Sequence, residues 1–581
     1  MNSKTPLILL WVPLLFSSCL KKVQEEPQFE APLFDNLGAY SIPISTDNPW
    51  AQKFFDQGIN LTFGFNHDEA ARAFKEAQRL DPNCAMAYWG HAYVLGPNYN
   101  SAMDPSVIEE AYEASQKAWE LAQTQSIQSW EKAAIEALTS RYPETEVANR
   151  APVDSTYSAH MRSVAQSFPA NDFVQLLLAE SIMDVHPWDL WERTGSPKPW
   201  TPEILELLET IISRDPSHPG AHHLYIHATE ASKEPEKGLE SAQKLASLVP
   251  GSGHLVHMPS HTFIRTGNYH QGTLANEQAV EVDSLYIVAC NAQGIYPMVY
   301  YPHNIHFLAA CAALEGQGEK AVNASYMIAR NINQELMENP ELSTLQHYWI
   351  IPLYVLVKFA QWDHILTYDE PKENLLYPRA IWHYARGMAH SGKGELREAS
   401  QELEALKVLT ADTLVRQLTI WDINSVGELL DIASRVLESK ILLSSGKSAQ
   451  AIKLLEEAVA IEDQLSYQEP PDWFFSVRHE LGAALLGAKS FSQAEKVYRE
   501  DLAIFPKNGW ALNGLRESLI AQNKQEELGE IEKQLESAWQ WADVELQGSQ
   551  VNPETISSFA IHRVRPPLPR EILAIRSICG F

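Results

Sequence analysis

The sequence lacks the short motifs that mark several common classes of enzyme. It has no complete P-loop, no GxGxxG between a strand and a helix, no GxSxG and no HExxH. It contains five cysteines, and none of them forms a CxxC pair. These absences argue against a nucleotide-binding loop, a nucleophile-elbow hydrolase, a zincin, and a structural zinc knuckle or thioredoxin-like redox site.

Basic residues are scarce relative to acidic ones. Lys and Arg number 45 against 74 Asp and Glu, and the net charge is −29. Because nucleic-acid phosphates need a basic protein face, we expect no nucleic-acid partner. A chain this acidic favours solubility and raises the local concentration of cations.

A membrane-spanning apolar run is also missing near the N terminus. The run LILLWVPLLF, residues 7–16, is too short to cross a bilayer of roughly 30 Å as a helix. It follows Lys4 and ends in FSSC, which resembles a bacterial lipobox. The resemblance implies a lipoprotein signal peptide over residues 1–19, lipidation of Cys19 and a tether over residues 20–48. The protein would then be exported and held in the bacterial cell envelope by its lipid only, either facing the periplasm or at the cell surface. An ordinary secretory signal with an incidental Cys19 is the alternative.

From residue 49 onward the chain alternates amphipathic helical stretches with short turns, and no segment has a convincing strand pattern. Small, aromatic and proline residues recur at fixed spacing near both ends of this region, at Gly58, Ala70, Phe74, Ala77 and Pro82, and again at Gly482, Ala494, Tyr498 and Pro506. This spacing resembles the tetratricopeptide repeat family. The resemblance implies an all-α solenoid over residues 49–545, in which small residues let paired helices approach and the aromatic residue fills the space between them.

Two segments depart from the repeat. Residues 184–203 are too long and too rich in proline for a turn within a repeat, so we expect an inserted loop there. Its Trp188, Asp189 and Trp191 are candidates for a lid over the groove. Residues 546–581 form a basic, proline-containing tail without repeat pattern, which we expect to be a loosely ordered extension.

Histidines recur in three successive repeats, in HPGAHHLYIHATE, GSGHLVHMPSHTF and YYPHNIHF. In the family that the chain resembles, positions 2, 5, 9 and 12 of the first helix of each repeat line a concave groove. Carried over to residues 219–310, those positions are occupied by His223, His227 and Glu230, by His254, His257 and His261, and by His303 and His306.

Such a register brings imidazoles within reach of one another. Residues one turn apart have Cβ atoms roughly 5–6 Å apart, and packed helices lie about 8–10 Å apart. We therefore predict a transition-metal site with one or two zinc, copper or iron ions. The first ligands are expected to be His223, His227, His257, His261 and His306, with His254 and His303 as further ligands and Glu230 as a ligand or a partner of an imidazole. Pro259 should restart the middle helix, so that His261 points differently from His254 and His257.

Two hypotheses for function follow. In the first, the groove holds a histidine-bound metal for metal handling or metal-dependent chemistry, whether or not the chain is an enzyme. In the second, the chain is a cell-envelope scaffold that captures a protein or peptide segment in the groove, and the histidines are polar contacts. Positions 5 and 9 are both histidine in two successive repeats, and this favours the first hypothesis.

Overall fold

The computed structural model describes residues 28–561 apart from 291 and 293–295. The predicted signal peptide, Cys19 and the tail beyond residue 561 therefore lie outside the described residues. Antiparallel helix pairs follow one another along the chain, and each packs on the next. The first pairs are formed by α1 (Pro49–Phe63), α2 (His67–Leu80), α3 (Ala85–Val94), α4 (Ile108–Thr124), α5 (Ser129–Leu138), α6 (Ala151–Ser167), α7 (Asp172–Val185) and α8 (Thr201–Arg214).

The central helices carry the histidines, and the later helices return to regular pairing. The central set is α9 (Pro219–Glu230), α10 (Leu239–Leu248), α11 (Gly253–His257), α12 (Pro259–Thr266), α13 (Tyr269–Cys290), α14 (Tyr301–Leu314) and α15 (Gly318–Asn331). The later set is α16 (Ser343–Lys358), α17 (Trp362–Leu366), α18 (Leu376–Gly392), α19 (Leu396–Thr410), α20 (Thr413–Gln417), α21 (Val426–Ser444), α22 (Ser448–Glu462), α23 (Val477–Gly487), α24 (Phe491–Ile504), α25 (Gly509–Ala521) and α26 (Gln525–Ala538).

Within the part of the chain that the structure describes, strands occur in two short antiparallel hairpins. β1 (Thr419–Ile420) pairs with β2 (Asn424–Ser425), and β3 (Leu546–Gln547) pairs with β4 (Gln550–Val551). Among the described residues, no helix is both long enough and apolar enough to cross a membrane.

Aromatic residues fill the space between paired helices, as the repeat pattern predicts. A Cβ added at Gly58 or at Gly90 would overlap the ring of Phe74, which is fully buried. Near the other end of the chain, a Cβ added at Gly482 or at Gly514 would overlap the ring of Tyr498 in the same way. The glycines therefore allow the close helix approach that the aromatic ring requires. The all-α, tetratricopeptide-type solenoid is confirmed.

Residues 28–48, predicted as part of a tether, instead pack on the solenoid. Phe29 lies 5.1 Å from Phe54 between ring centroids, and Ile42 and Ile44 are buried. The Asn36 carbonyl accepts a hydrogen bond from Gly251 N at 2.8 Å, at the turn before α11. The tether prediction was wrong for this stretch, because it runs along α1, where the backbone N–H groups of Phe34, Ile42 and Ile44 donate to side chains of that helix.

The described part of the predicted tail, residues 546–561, is also packed. Asn513 Nδ2 donates to the Gly548 carbonyl at 2.7 Å, and Phe559 N donates to Gln361 Oε1 at 3.0 Å. Val551 and Phe559 are buried. The hairpin covers the last helix pairs, so the expectation of a loose extension was wrong over these residues.

The hydrophobic core is divided into two clusters that meet at the histidine helices. One cluster runs from Ala31 to Phe263 and includes Tyr296 and Tyr300, and the other runs from Ile264 to Phe559. The boundary falls within α12, between Phe263 and Ile264, and again just before α14, so the polar groups of the central helices lie between two apolar clusters.

Candidate metal centre

The helix α9 places His223 and His227 one turn apart inside the protein. Pro219 supplies a fixed φ at the start of this helix, and the His218 side chain accepts a hydrogen bond from Ala221 N at 3.3 Å. Both histidines are almost completely buried, with exposed fractions of 1% and 2%. They therefore face neighbouring helices and not solvent.

Pro259 breaks the next helix, as its missing N–H requires. α11 ends at His257 and α12 begins at Pro259, so His254 and His257 lie on one segment and His261 on the other. The break does not separate the side chains, since His257 Nε2 lies 3.0 Å from His261 Nε2.

The six histidines of α9, α11, α12 and the start of α14 form two adjacent groups. Triad A consists of His223, His227 and His254, and triad B of His257, His261 and His303. Within each triad, one ligand atom per residue lies within 4.8 Å of the others. The triads adjoin, because the His227 and His261 rings are 5.7 Å apart and the His254 and His257 rings 5.9 Å apart.

Three of the imidazoles have Nδ1 held by a side-chain oxygen. His227 Nδ1 lies 3.0 Å from Glu230 Oε1, and His257 Nδ1 lies 2.6 Å from Asn276 Oδ1. His261 Nδ1 lies 2.7 Å from Glu230 Oε2 and 3.0 Å from the second carboxylate, that of Glu469. These contacts fix the orientation of each ring and leave Nε2 as the atom available for a ligand.

Several nitrogens of triad A have no hydrogen-bond partner among the described residues. They are Nε2 of His223, Nε2 of His227 and both ring nitrogens of His254. A buried polar atom without a partner costs about 1–3 kcal/mol. Four such atoms on three adjacent rings are better suited to binding a cation than to stabilising the fold.

Burial keeps most of these imidazoles neutral. It lowers the pKa of His223, His254, His257 and His303 well below the ordinary value. Neutral imidazoles are the form that binds metals, so protons do not compete at these rings near neutral pH.

His261 and Glu230 behave as an ion pair. Burial alone would lower the pKa of His261, but the carboxylates of Glu230 and Glu469 outweigh it and raise that pKa to about 9. Burial alone would raise the pKa of Glu230, and the neighbouring His261 and His227 lower it to about 2. His261 is therefore protonated near neutral pH and paired with the Glu230 carboxylate, so a metal would bind His261 Nε2 only by displacing that proton.

Glu469 was not found from the sequence. It lies 208 residues beyond His261, in the loop between α22 and α23, and is buried. Together with Glu230 and His261 it forms a third group whose ligand atoms lie within 4.8 Å of one another. In the sequence, an acid before two prolines in an irregular segment is a weak indication of a binding site. The contact of Glu469 with His261 is evident only in the folded structure.

His306 does not join either triad. Its ring stacks on Phe474 at 5.0 Å and lies 6.0 Å from the ring of His347. His303, one turn earlier, contacts His257 at 4.9 Å between ring centroids and is partly exposed. The predicted ligand set is thus brought together except for His306, which faces the later helices.

A cavity of about 770 Å³ opens onto the cluster, and His227, Glu230 and Glu469 lie in its wall. The loop between α7 and α8 covers it: Trp188 lies 5.6 Å from His227 between ring centroids, and Trp191 Nε1 donates to the Ala228 carbonyl at 2.9 Å. The inserted loop therefore occupies the lid position that its aromatic residues indicated.

No protein-family model matches this sequence, and no curated protein is similar to it in sequence. Solved structures with a similar arrangement of helices include the human IFIT1 dimer with m7Gppp-AAAA, at 12% identity, covering 85% of this chain and 91% of that one, with a TM-score of 0.30. Yeast Tom70 is similar at 11% identity, over 84% of this chain and 100% of that one, with a TM-score of 0.26. Cut9 in the APC/C Cut9–Hcn1 hetero-tetramer is similar at 13% identity, over 85% and 78%, with a TM-score of 0.27.

Proposed function

We propose that this chain binds transition-metal ions at triads A and B and serves in metal handling or metal-dependent chemistry. The observation that carries the proposal is the combination of oriented and unpartnered imidazoles. Nδ1 of His227, His257 and His261 is held by oxygen, while Nε2 of His223 and His227 has no partner among the described residues. Ring orientation by an outer hydrogen bond is typical of histidine ligands.

The donor set favours two ions, one on each triad. Two ligands bound about 2.0–2.1 Å from the same ion lie roughly 3–3.5 Å apart, and the 3.0 Å between His257 Nε2 and His261 Nε2 fits this range. Three imidazoles per ion suit copper or zinc, whereas calcium and magnesium prefer oxygen ligands. Iron is the third candidate, because Glu230 and Glu469 add carboxylate oxygens.

A metal held here would supply Lewis-acid or redox chemistry at the wall of the cavity. The protein's own residues would balance the charge of the metal, orient its ligands and limit the access of water. Glu230 and Glu469 balance positive charge, Asn276 and Glu230 orient the rings, and Trp188 and Tyr99 limit the access of water from the cavity side.

The scaffold hypothesis requires histidines that a partner segment can touch. Five of the six are at most 2% exposed, and the loop between α7 and α8 lies over the cavity. A small ligand fits this stretch better than an extended peptide, while other parts of the solenoid surface remain available to a protein partner.

Elemental analysis tests the proposal. Residues 20–581, purified without chelator or affinity-tag histidines, should contain about two copper, zinc or iron ions per chain. His227→Ala and His261→Ala should each lose metal, while His160→Ala, which changes an exposed histidine on α6, should not. Wild-type protein that stays metal-free after incubation with each ion would overturn the proposal.

We also propose that the chain is exported and anchored through a lipid on Cys19, which the FSSC sequence supports. Expressed in a bacterium, the mature protein should begin at Cys19 and carry an acyl-modified N terminus in its mass spectrum. Cys19→Ser should abolish the modification, and an unmodified wild-type protein in the membrane-free fraction would contradict the proposal.

A further inference from the structure

The cavity beside triad A is lined by parts of the chain that are far apart in sequence. The loop between α7 and α8 supplies Trp188 and Arg193, and the loop between α22 and α23 supplies Tyr467 and Trp473. Arg193 reaches across and donates to Gln464 Oε1 at 3.2 Å. A volume of about 770 Å³ is within the range of small-molecule sites.

The acidic side chains of the cavity wall are engaged by neighbouring groups. Asp189 and Glu192 share Lys198 at 3.0 and 3.2 Å. Asp463 forms a two-fold contact with Arg478, with distances of 2.9 and 2.8 Å.

The remaining acids of the wall are held in the same way. Asp472 accepts from Asn424 Nδ2 at 2.7 Å, and Glu462 accepts from Val477 N at 3.1 Å. Glu230 and Glu469 both lie against His261. Each acid of the wall therefore has at least one hydrogen-bond or ion-pair partner within the protein.

Two of the five Lys and Arg side chains of the wall have no ion-pair partner among the described residues. They are Arg193, whose guanidinium donates to the neutral Gln464 and Ser466 side chains, and the exposed Lys233. Arg265, deeper in the wall, donates from Nε to the Glu230 carbonyl and from Nη2 to the Ser232 carbonyl, each at 3.2 Å, and its nearest carboxylate oxygen is 3.8 Å away on Glu469. Arg193 and Lys233 are therefore the cationic groups at the cavity that are available to meet an anionic ligand.

A flat aromatic surface accompanies these charges. Trp188 stacks on Tyr99 with ring centroids 5.1 Å apart, and 38% of Trp188 remains exposed. The backbone of Trp188 lies at a φ of +58°, a conformation that costs a bulky residue about 1–3 kcal/mol. The fold thus holds this indole beside His227 at an energetic cost, which points to a role for the ring beyond packing.

We propose that the cavity binds an aromatic carboxylate, with its ring against Trp188 and its carboxylate at Arg265. Arg193 and Lys233 at the rim attract the anion, and Nη1 of Arg265, which makes neither of the two backbone contacts, donates a charge-assisted hydrogen bond to the carboxylate. The bound molecule then lies beside His227 and Glu230. Any reaction of this ligand would rest on the proposed metal site, whereas its binding would not.

Calorimetric titration with 2-naphthoate and its neutral analogue 2-naphthamide tests the proposal. Naphthoate should bind wild type at least about tenfold more tightly than naphthamide, since a charge-assisted contact replaces a neutral one. Arg265→Gln should weaken naphthoate binding by about tenfold and abolish the preference. Arg435→Gln, a change at a partly exposed arginine on α21 outside the cavity, should leave both affinities unchanged.

A second variant covers the possibility that Arg265→Gln disturbs the fold. Trp188→Leu lies in the exposed loop and should weaken both ligands equally, because it removes the stacking surface and no charge. Equal affinity of wild type for naphthoate and naphthamide, or naphthoate binding that ignores both substitutions, would overturn the proposal.

Titrations of chelator-treated protein separate this inference from the proposed metal site. Naphthoate binding that survives metal removal and still depends on Arg265 supports the cavity assignment, even if elemental analysis finds no metal in any preparation. Naphthoate binding that needs the metal and ignores Arg265 would show that the carboxylate is a metal ligand, and would overturn the assignment to Arg265.

Discussion

Phe65 shows how a single residue outside the ligand set shapes the candidate site. It lies at a φ of +52°, which is uncommon for a residue with a side chain, and it is 2% exposed. Its ring centroid lies 4.6 Å from that of His223 and 5.4 Å from that of His254. The ring therefore acts as a wall that limits the movement of triad A.

Removing that wall should weaken metal binding without removing a ligand. We expect Phe65→Ala to lower the affinity of triad A by about 10–100-fold, the range seen when outer-sphere support is lost. Phe65→Leu keeps apolar volume and should lose less. Competition with a chromogenic chelator measures both, and circular dichroism checks the fold. A folded Phe65→Ala protein with wild-type affinity would show that the imidazoles are positioned without this ring.

Asp283 is a buried acid that holds the start of α11. Its carboxylate accepts from Tyr296 Oη at 2.8 Å and from Asn304 Nδ2 at 2.7 Å, and Tyr296 Oη in turn accepts from His254 N at 3.1 Å. Burial raises the pKa of Asp283 to about 7, against the lowering effect of these two donors.

That raised pKa predicts a pH dependence of stability. Between about pH 4 and pH 7 the folded state holds the proton more tightly than the unfolded state, so the free energy of unfolding falls as pH rises through this window and levels off above it. Asp283→Asn should remove about 2–4 kcal/mol of this fall. Urea unfolding at pH 5 and pH 8 measures it, with the exposed Asp35→Asn as control. An unchanged pH dependence in Asp283→Asn would contradict the assignment.

The register of the histidines could be predicted from the sequence because it is a local property of helices. Once α9, α11 and α12 form, residues three and four apart share a face, and the repeat sets which face is inward. Glu469 could not be predicted, since its contact with His261 depends on how many repeats separate them and on how the solenoid curves. His306 was placed wrongly because α14 turns its second histidine toward Phe474.

At the scale of elements, the loop between α7 and α8 could be predicted from its length and its prolines. The parts of the protein that this loop contacts could not be predicted. Its position depends on contacts at both sides, through Trp191 to α9 and through Arg193 to the loop after α22. These contacts make it a cover over the wall of triad A rather than a spacer.

Shortening this cover should change the rate of metal loss more than the affinity. With residues 187–199 replaced by a short Gly-Ser linker, we expect extraction by EDTA to be at least about tenfold faster, because the path to His227 is open. A matched replacement of the exposed loop 143–149 between α5 and α6 should leave the rate unchanged. Equal extraction rates in all three proteins would mean that metal leaves by another route, such as the partly exposed His303.

At the scale of the whole molecule, the candidate site lies where two hydrophobic cores meet. Triad A packs against Phe65 and Tyr300 of the first cluster, and His303 packs against Phe307 of the second. Glu469 reaches His261 from the later repeats. In a solenoid most contacts join neighbouring repeats, so a contact across 208 residues couples parts that are otherwise connected only through their neighbours.

Metal binding should therefore stabilise the chain as a unit, and Glu469 should carry part of the effect. A ligand present at about 100 times its Kd adds about 2.7 kcal/mol to the free energy of unfolding. We expect calorimetry to show a higher Tm for metal-loaded than for chelator-treated wild type. Glu469→Gln removes the charge while keeping the shape, and it should reduce this Tm difference while changing the metal-free Tm less.

Glu495→Gln, on α24 and outside the site, is the control, and should keep the full difference in Tm between metal-loaded and chelator-treated protein. If Glu469→Gln also keeps the full Tm difference, the later repeats take no part in metal binding. The contact of Glu469 with His261 would then stabilise the fold alone.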